Sequence, residues 1–306
     1  MKPISTRQLV IIAVFCFAIL SASLFWLLTP QKPKKATVPP ITPVATTTEE
    51  IPAETEASVP AQKVIGKSVG SREIESYTFG SGPTRLVFVG GIHGGYEWNG
   101  VLLAYQFIDY LRQNPEFLPK NLAVTIIPDM NPDGIYKIIG KEGQFVISDV
   151  PAGTNEAGRL NAHGVDLNRN FACNWKSTGV WQNKTVSGGT AAFSEPESAA
   201  IKKFVLDNKP AALLFWHSQA GEVDGSECGG NELAETREIT DVYAKASGYK
   251  AVLSFDGYDV SGDVTDWLAS INIPAISVEL STHKTTEWEK NLAGITALFK
   301  YYGDKK

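Results

Sequence analysis

Residues 86–100 read LVFVGGIHGGYEWNG. The apolar, β-branched run Leu86-Val87-Phe88-Val89 has the composition of a buried strand, and it breaks at Gly90-Gly91. The break delivers His93 and Glu97 into the turn before an amphipathic helix. In open α/β sheets ligands gather at the carboxyl ends of the strands, and small glycines let backbone and ligand approach closely. A His and a carboxylate at such an end suggest a metal.

The rest of the chain from about Lys63 alternates in the same way. Strands are expected over Glu75–Phe79, Arg85–Val89, Ala123–Ile127, Ala212–Trp216, Ala251–Phe255 and Ala275–Glu279. Helices are expected over Gly100–Arg112, Glu195–Asp207, Leu233–Ser247, Val264–Ser270 and Trp288–Tyr302. Ser194-Glu195-Pro196-Glu197 should start its helix with a capping hydroxyl, an early proline and acids on the positive end of the dipole. The alternation indicates an α/β fold, a mostly parallel sheet with helices on both faces.

Outside this domain the composition changes. Leu9 to Leu28 is an uncharged run of about the 20 residues that cross a bilayer as a helix. It is expected to anchor the protein with its amino terminus inside, since apolar residues continue past the cleavage-like Ser21-Ala22-Ser23. Cleavage there would instead release the domain. Cys16 follows Phe15, not the small residue of a lipoprotein signal. Residues 29–62, rich in Pro, Thr, Ala and Glu, cannot bury enough surface to offset their ordering entropy and should form an extended spacer. The expected order is a short segment 1–8, an anchor or signal 9–28, a spacer 29–62 and a domain 63–306, placed outside the cytoplasm.

The chain has 306 residues, 43% hydrophobic, and can bury one substantial core. A formal charge of -5 without a basic stripe argues against nucleic acid as the main partner.

Leu213-Leu214-Phe215-Trp216-His217-Ser218 repeats the motif of an apolar strand ending in His. His93 and His217 thus occupy equivalent places at one sheet edge. Glu97 would complete a two-His, one-carboxylate set, which leaves the fourth position of a catalytic zinc for water. His163 and His283 sit in polar surroundings and are expected to face solvent.

Between the expected ligands runs Arg159-Leu160-Asn161-Ala162-His163-Gly164-Val165-Asp166-Leu167-Asn168-Arg169-Asn170-Phe171. With the Asn131-Pro132-Asp133-Gly134 turn, Phe193-Ser194-Glu195-Pro196-Glu197, Trp216-His217-Ser218 and Glu279-Leu280, the segment resembles the zinc carboxypeptidases, the M14 metallopeptidases. The resemblance implies a three-layer α/β/α domain with a mixed, mostly parallel central sheet and one Zn2+ held by His93, Glu97 and His217. It also implies Glu279 as general base and then acid, Arg159 polarising the scissile carbonyl, Asn168 and Arg169 on the substrate's terminal carboxylate, and Tyr258 capping the site. The chemistry agrees. A carboxylate can relay a proton from a zinc-acidified water to the leaving amine, and an oxyanion needs a fixed positive partner. A planar guanidinium grips a carboxylate bidentately.

Four features depart from the family or stand open beside it. The family spacing is His-x-x-Glu, whereas here Tyr96 stands in that position and Glu97 comes one residue later; the Gly94-Gly95 turn would have to absorb the extra residue. The resemblance implies that Thr265 stands at the floor of the side-chain pocket, with Asp263 nearby either selecting a cation or capping a helix, the capping role being preferred. Gly95 replaces the arginine that digestive members carry. Cys173 and Cys228, both in loops near the site, should pair in an oxidising compartment.

The expected activity is that of a zinc carboxypeptidase acting on peptides, with peptidoglycan stem peptides a candidate substrate for an anchored extracytoplasmic enzyme. The rivals are an amidase or deacylase acting on small acylated amino acids, and a non-catalytic peptide-binding module. The displaced Glu97 is the module's only support.

Overall fold

The computed structural model describes residues 59–153, 155–253 and 260–305. The expected membrane segment, the spacer as far as residue 58, and Tyr258 lie outside these residues. Among the described residues no helix is long and apolar enough to cross a membrane.

The chain opens with β1 (Ala61–Lys67), β2 (Glu73–Phe79) and β3 (Thr84–Val89), and a 3-10 turn then leads into α1 (Trp98–Gln113). Ala61 and Gln62, assigned by composition to the spacer, are therefore strand residues; they pair with Thr78 and Tyr77. Next come β4 (Leu122–Ile127) and α2 (Pro132–Ile139). The sequence reads Asn131-Pro132-Asp133-Gly134 only as a turn, yet it begins a helix. The Asn131 side chain accepts from Gly134 N at 3.0 Å, and Pro132 supplies the fixed φ of a first helical residue.

A small hairpin, β5 (Thr178–Trp181) and β6 (Lys184–Ser187), precedes α3 (Pro196–Asn208) and β7 (Ala212–Ser218). The cap of α3 is Glu195, which makes no side-chain capping bond. The Ser194 hydroxyl, expected to cap it, instead donates to Glu195 Oε1 at 2.8 Å and accepts from Asn170 Nδ2 at 3.1 Å. The remaining elements are β8 (Glu222–Asp224), β9 (Glu227–Cys228), β10 (Asn231–Glu232), α4 (Ala234–Ser247), β11 (Lys250–Val252), α5 (Val264–Ser270), β12 (Ala275–Leu280) and α6 (Trp288–Gly303).

One eight-stranded sheet runs in the order β1-β2-β4-β3-β7-β12-β8-β11. The central pairs β4–β3, β3–β7 and β7–β12 are parallel, as is β11 on β8. The pairs β1–β2, β2–β4 and β12–β8 are antiparallel, so the sheet is mixed as expected. Every residue of β4 and β7 is buried, as strands covered on both faces require.

Successive residues of β3 point to opposite faces. Leu86 and Phe88 join a core with Val101, Ile108, Tyr243, Ile295 and Phe299, from α1, α4 and α6. Val87 and Val89 join a second core with Ile201, Val205, Trp267 and Leu268, from α3 and α5. The result is three layers, with the carboxyl ends of β3, β7 and β12 side by side.

Candidate metal centre and active site

The turn after β3 carries the first two expected ligands. Its backbone tightens into a 3-10 helix, Gly94–Glu97, that takes up the additional residue between His93 and Glu97. Gly94 makes this feasible, because its φ is +45° and a Cβ there would stand 2.7 Å from the carbonyl oxygen of Gly158. Only glycine tolerates both that φ and that approach.

The consequence is convergence. His93 Nδ1 lies 2.8 Å from Glu97 Oε1, and His217 Nδ1 lies 3.0 Å from Glu97 Oε2. The two Nδ1 atoms are 3.3 Å apart, and the three donor atoms lie within 4.8 Å of one another. All three side chains are buried. Burial would raise the Glu97 carboxyl, but the two imidazoles outweigh it and hold the group well below the usual carboxylate range. Burial likewise opposes protonation of His217, yet Glu97 pushes that imidazole up to about 9. Two nitrogens and a carboxylate that demand a shared positive charge are a donor set that fits zinc.

Behind the ligands stands Asp166, a residue sequence reasoning quoted within the signature but gave no role. It is fully buried. Its Oδ2 accepts from Arg159 Nε at 3.0 Å and pairs with Nη2 at 2.9 Å, while Oδ1 accepts from Asn168 N at 3.0 Å and lies 3.4 Å from His93 Nε2. Against burial, the Arg159 charge keeps this carboxyl ionised far below its ordinary value. Asp166 thus fixes Arg159 and backs a metal-facing imidazole. Arg159 Nη1 stands 3.7 Å from Glu97 Oε1, and its guanidinium lies over the Trp181 ring at 4.4 Å. The Arg159 loop is held by α2, whose Asn131 Nδ2 donates to the Arg159 carbonyl at 3.2 Å. Asp166, Trp181 and Asn131 all position Arg159, and of these Asp166 and Asn131 lie inside motifs already legible in the sequence.

A cavity of about 550 Å3 opens in front of these groups. His93, Glu97, His217, Arg159, Asn168, Arg169, Thr265 and Glu279 all line it, so the structure gathers every described residue that the sequence assigned to catalysis, substrate or metal. Tyr258 lies outside the described residues. Glu279 sits on β12 directly opposite His217 on β7. Burial, with Glu97 and Asp224 adding to it against His217 and Arg159, raises its carboxyl to about 8 in the metal-free chain.

The residues that the sequence assigns to substrate are more tied up than it suggests. Asn168 Nδ2 donates to Asp263 Oδ2 at 2.6 Å, and Asn168 Oδ1 accepts from Val264 N at 3.0 Å, so this amide also secures the start of α5. Arg169 donates from Nη2 to the Val180 carbonyl at 2.8 Å and from Nη1 to the Asn168 carbonyl at 2.6 Å. Asp263 is the cap of α5, with Oδ1 accepting from Thr265 N at 2.7 Å, from Thr265 Oγ1 at 2.7 Å and from Asp266 N at 3.3 Å. The preferred capping role of Asp263 is the one found.

Cys173 and Cys228 form the expected disulfide. It ties the loop after the signature to β9 at the cavity's edge. His163 stays largely exposed, with Nδ1 2.8 Å from Glu195 Oε2. His283 is a correction, because it does not face solvent. Its Nδ1 lies 2.6 Å from Ser218 Oγ and its ring packs 4.6 Å from Tyr96. The cause is that Asn99 Nδ2 donates to the carbonyls of Thr282 and Thr285, at 2.7 and 3.0 Å, and folds the β12–α6 loop inward.

A family model described as zinc carboxypeptidase, Peptidase_M14, matches residues 53–292. Among similar proteins, gamma-D-glutamyl-L-diamino acid endopeptidase 1 of Lysinibacillus sphaericus is 25% identical over 71% of this chain and 60% of its own length. Murein peptide amidase A of Escherichia coli K12 is 28% identical over 50% of this chain and 64% of its own length. Carboxypeptidase O of Bos taurus is 28% identical over 63% of this chain and 56% of its own. The chain thus spans less than two thirds of the length of each of these relatives. Two solved structures share the fold. Murein-tripeptide amidase MpaA from Escherichia coli O157 has a TM-score of 0.57 at 21% identity, covering 83% of this chain and 97% of that one. Thrombin activatable fibrinolysis inhibitor has a TM-score of 0.65 at 17% identity, covering 82% of this chain and 71% of that one.

Proposed function

The chain belongs to the zinc carboxypeptidase family, a family of peptide hydrolases, and from that premise we propose that it is a zinc-dependent carboxypeptidase removing single carboxy-terminal residues from peptides. The observation that carries the proposal is the convergence of His93, Glu97 and His217 beside Glu279 in one cavity. The displaced Glu97, which motivated the binding-module reading, reaches both imidazoles and no longer supports that reading.

His93, Glu97 and His217 would hold one Zn2+. Bound there, it would supply Lewis-acid polarisation and an acidified water. Glu279 takes a proton from water and returns it to the leaving amine. Arg159, braced by Asp166 and Trp181, offers the guanidinium edge that faces Glu97 to the developing oxyanion. Arg169 and Asn168 meet the terminal carboxylate at the far side of the cavity, and Tyr258 caps the bound chain end.

A second reading is supported by two relatives whose names specify murein peptides and a γ-D-glutamyl-diamino acid bond. Here the same groups cut peptidoglycan stem peptides. An extracytoplasmic location, with residues 9–28 as anchor, suits that substrate. The test is mass spectrometry of products after incubating the zinc-loaded chain with mixed linear peptides, stem peptides and acylated amino acids, with and without chelator. Chelator-sensitive loss of single terminal residues supports the carboxypeptidase. Cleavage confined to stem peptides supports the second reading, and hydrolysis of acylated amino acids alone would overturn both in favour of a deacylase.

A further inference from the structure

Most buried carboxylates in this domain are compensated. Asp166 has Arg159, Glu97 has two imidazoles, and Asp133 pairs with Arg72 at 2.8 Å. Asp263 has its four hydrogen bonds at the head of α5. Asp224 is different. It is only 7% exposed, its Oδ1 is wholly buried, and among the described residues no donor reaches that oxygen. A buried carboxylate without a partner leaves its desolvation uncompensated.

Its position gives the vacancy a use. Strand β8 pairs with β12 so that Asp224 lies opposite Ser277 and Glu222 opposite Glu279. Residues two apart on a strand share a face. Asp224 and Ser277 therefore lie on the Glu279 face, displaced along β12 towards the sheet interior, and all three line the cavity. The displacement is about 7 Å for two residues. The four-carbon stem of a lysine, plus one hydrogen bond, spans such a distance, whereas a short side chain does not.

Resting on the carboxypeptidase reading above, we propose that Asp224 is the specificity-determining residue of the pocket, receiving the side-chain ammonium of a lysine-like carboxy-terminal residue. The surroundings reinforce the sign. Asp263 and Asp266 line the same cavity, and burial followed by Glu222 pushes the Asp224 carboxyl up to about 7, the condition of an acid lacking a cation. An apolar side chain would leave Asp224 uncompensated, and an acidic one would be repelled. Asp263, the acid suggested by sequence, has Oδ1 committed to capping and Oδ2 to Asn168 Nδ2, and Thr265 is neutral.

The experiment uses the zinc-loaded full chain and peptides differing only in a terminal lysine, ornithine, norleucine or glutamate. Calorimetry of free lysine and norleucine gives a readout apart from turnover. Lysine should exceed norleucine in kcat/KM by about 30-fold, in line with a desolvated charge pair. In Asp224→Asn the ratio of lysine to norleucine turnover should fall about tenfold or more. Asp224→Glu should move the optimum from lysine to the shorter ornithine, a shift that a merely structural carboxylate would not produce. Wild-type indifference between lysine and norleucine, or an unchanged preference in Asp224→Asn, overturns the proposal. If no peptide is cut at all, the carboxypeptidase reading fails separately. Calorimetry then decides: tighter binding of lysine than norleucine to wild type supports the pocket, and equal binding overturns it. That comparison requires no variant to fold.

Discussion

Glu279 on β12 stands directly across a parallel ladder from His217 on β7, so one pair of registered strands places the proposed base beside a metal ligand. Glu279 donates nothing to the ligand set itself, which is complete with His93 and Glu97. Glu279→Gln should therefore bind zinc normally and lose about 10²–10⁴-fold in kcat. Metal analysis alongside steady-state kinetics checks this, and an undiminished kcat removes Glu279 from the chemistry.

Asp166 serves both Arg159 and His93. Asp166→Asn retains the shape and removes the charge. Zinc affinity should fall about 10–100-fold, as for other partners of metal-bound histidines. Competition with a chromophoric chelator measures it; an unaltered affinity would mean that His93 is oriented by packing alone.

Gly94 has φ +45° and a neighbour, Gly158 O, at 2.7 Å from any added Cβ. Gly94→Ala should destabilise the domain by about 1–3 kcal/mol, the usual cost of a strained left-handed residue. It should weaken zinc binding as well, because the turn it distorts sets the distance from His93 to Glu97. Denaturant unfolding and zinc titration on the same variant separate the two effects.

The disulfide closes a loop of sequence separation 55. Constraining a loop of that size in the unfolded chain is worth about 4 kcal/mol on the chain-entropy model. The double replacement Cys173→Ser, Cys228→Ser should lower the unfolding free energy by up to that amount, read from urea curves at constant slope.

Asp224 supplies a pH signature. Its carboxyl is raised to about 7, chiefly by burial, against about 3.9 for an unfolded aspartate. The folded chain then holds this proton more tightly, so the group's contribution to stability is fully present below about pH 4 and is lost as pH rises through about 7. Asn does not titrate. The melting temperature of metal-free Asp224→Asn, relative to wild type, should accordingly rise between pH 4 and pH 8; a constant difference would show Asp224 to be ionised and satisfied throughout.

Much of this was legible in the sequence because its signals are local. The apolar runs ending in His93 and His217 are the two central strands β3 and β7, and α5 begins and ends where its cap and pattern place it. The metal set followed from equivalent strand ends. What escaped was set by distance in sequence. His283 is drawn inward by Asn99, almost two hundred residues earlier, and no local pattern announces that bond. The edge strand β1 is mostly exposed and lacks an apolar signature. Asp224 sits on a three-residue strand whose neighbours are fixed by its pairing with β12 and β11. Asn131-Pro132-Asp133-Gly134 has the composition of a turn, although its Asn cap and following proline are a helix start.

The central claim is that His93, Glu97 and His217 share one metal ion despite the additional residue in the turn. The direct measurement is anomalous diffraction at the zinc edge from crystals of the zinc-loaded chain. The account predicts a single strong peak bounded by His93 Nδ1, His217 Nδ1 and the Glu97 carboxylate. A peak held by the two histidines with Glu97 turned away, or zinc located elsewhere, would contradict it.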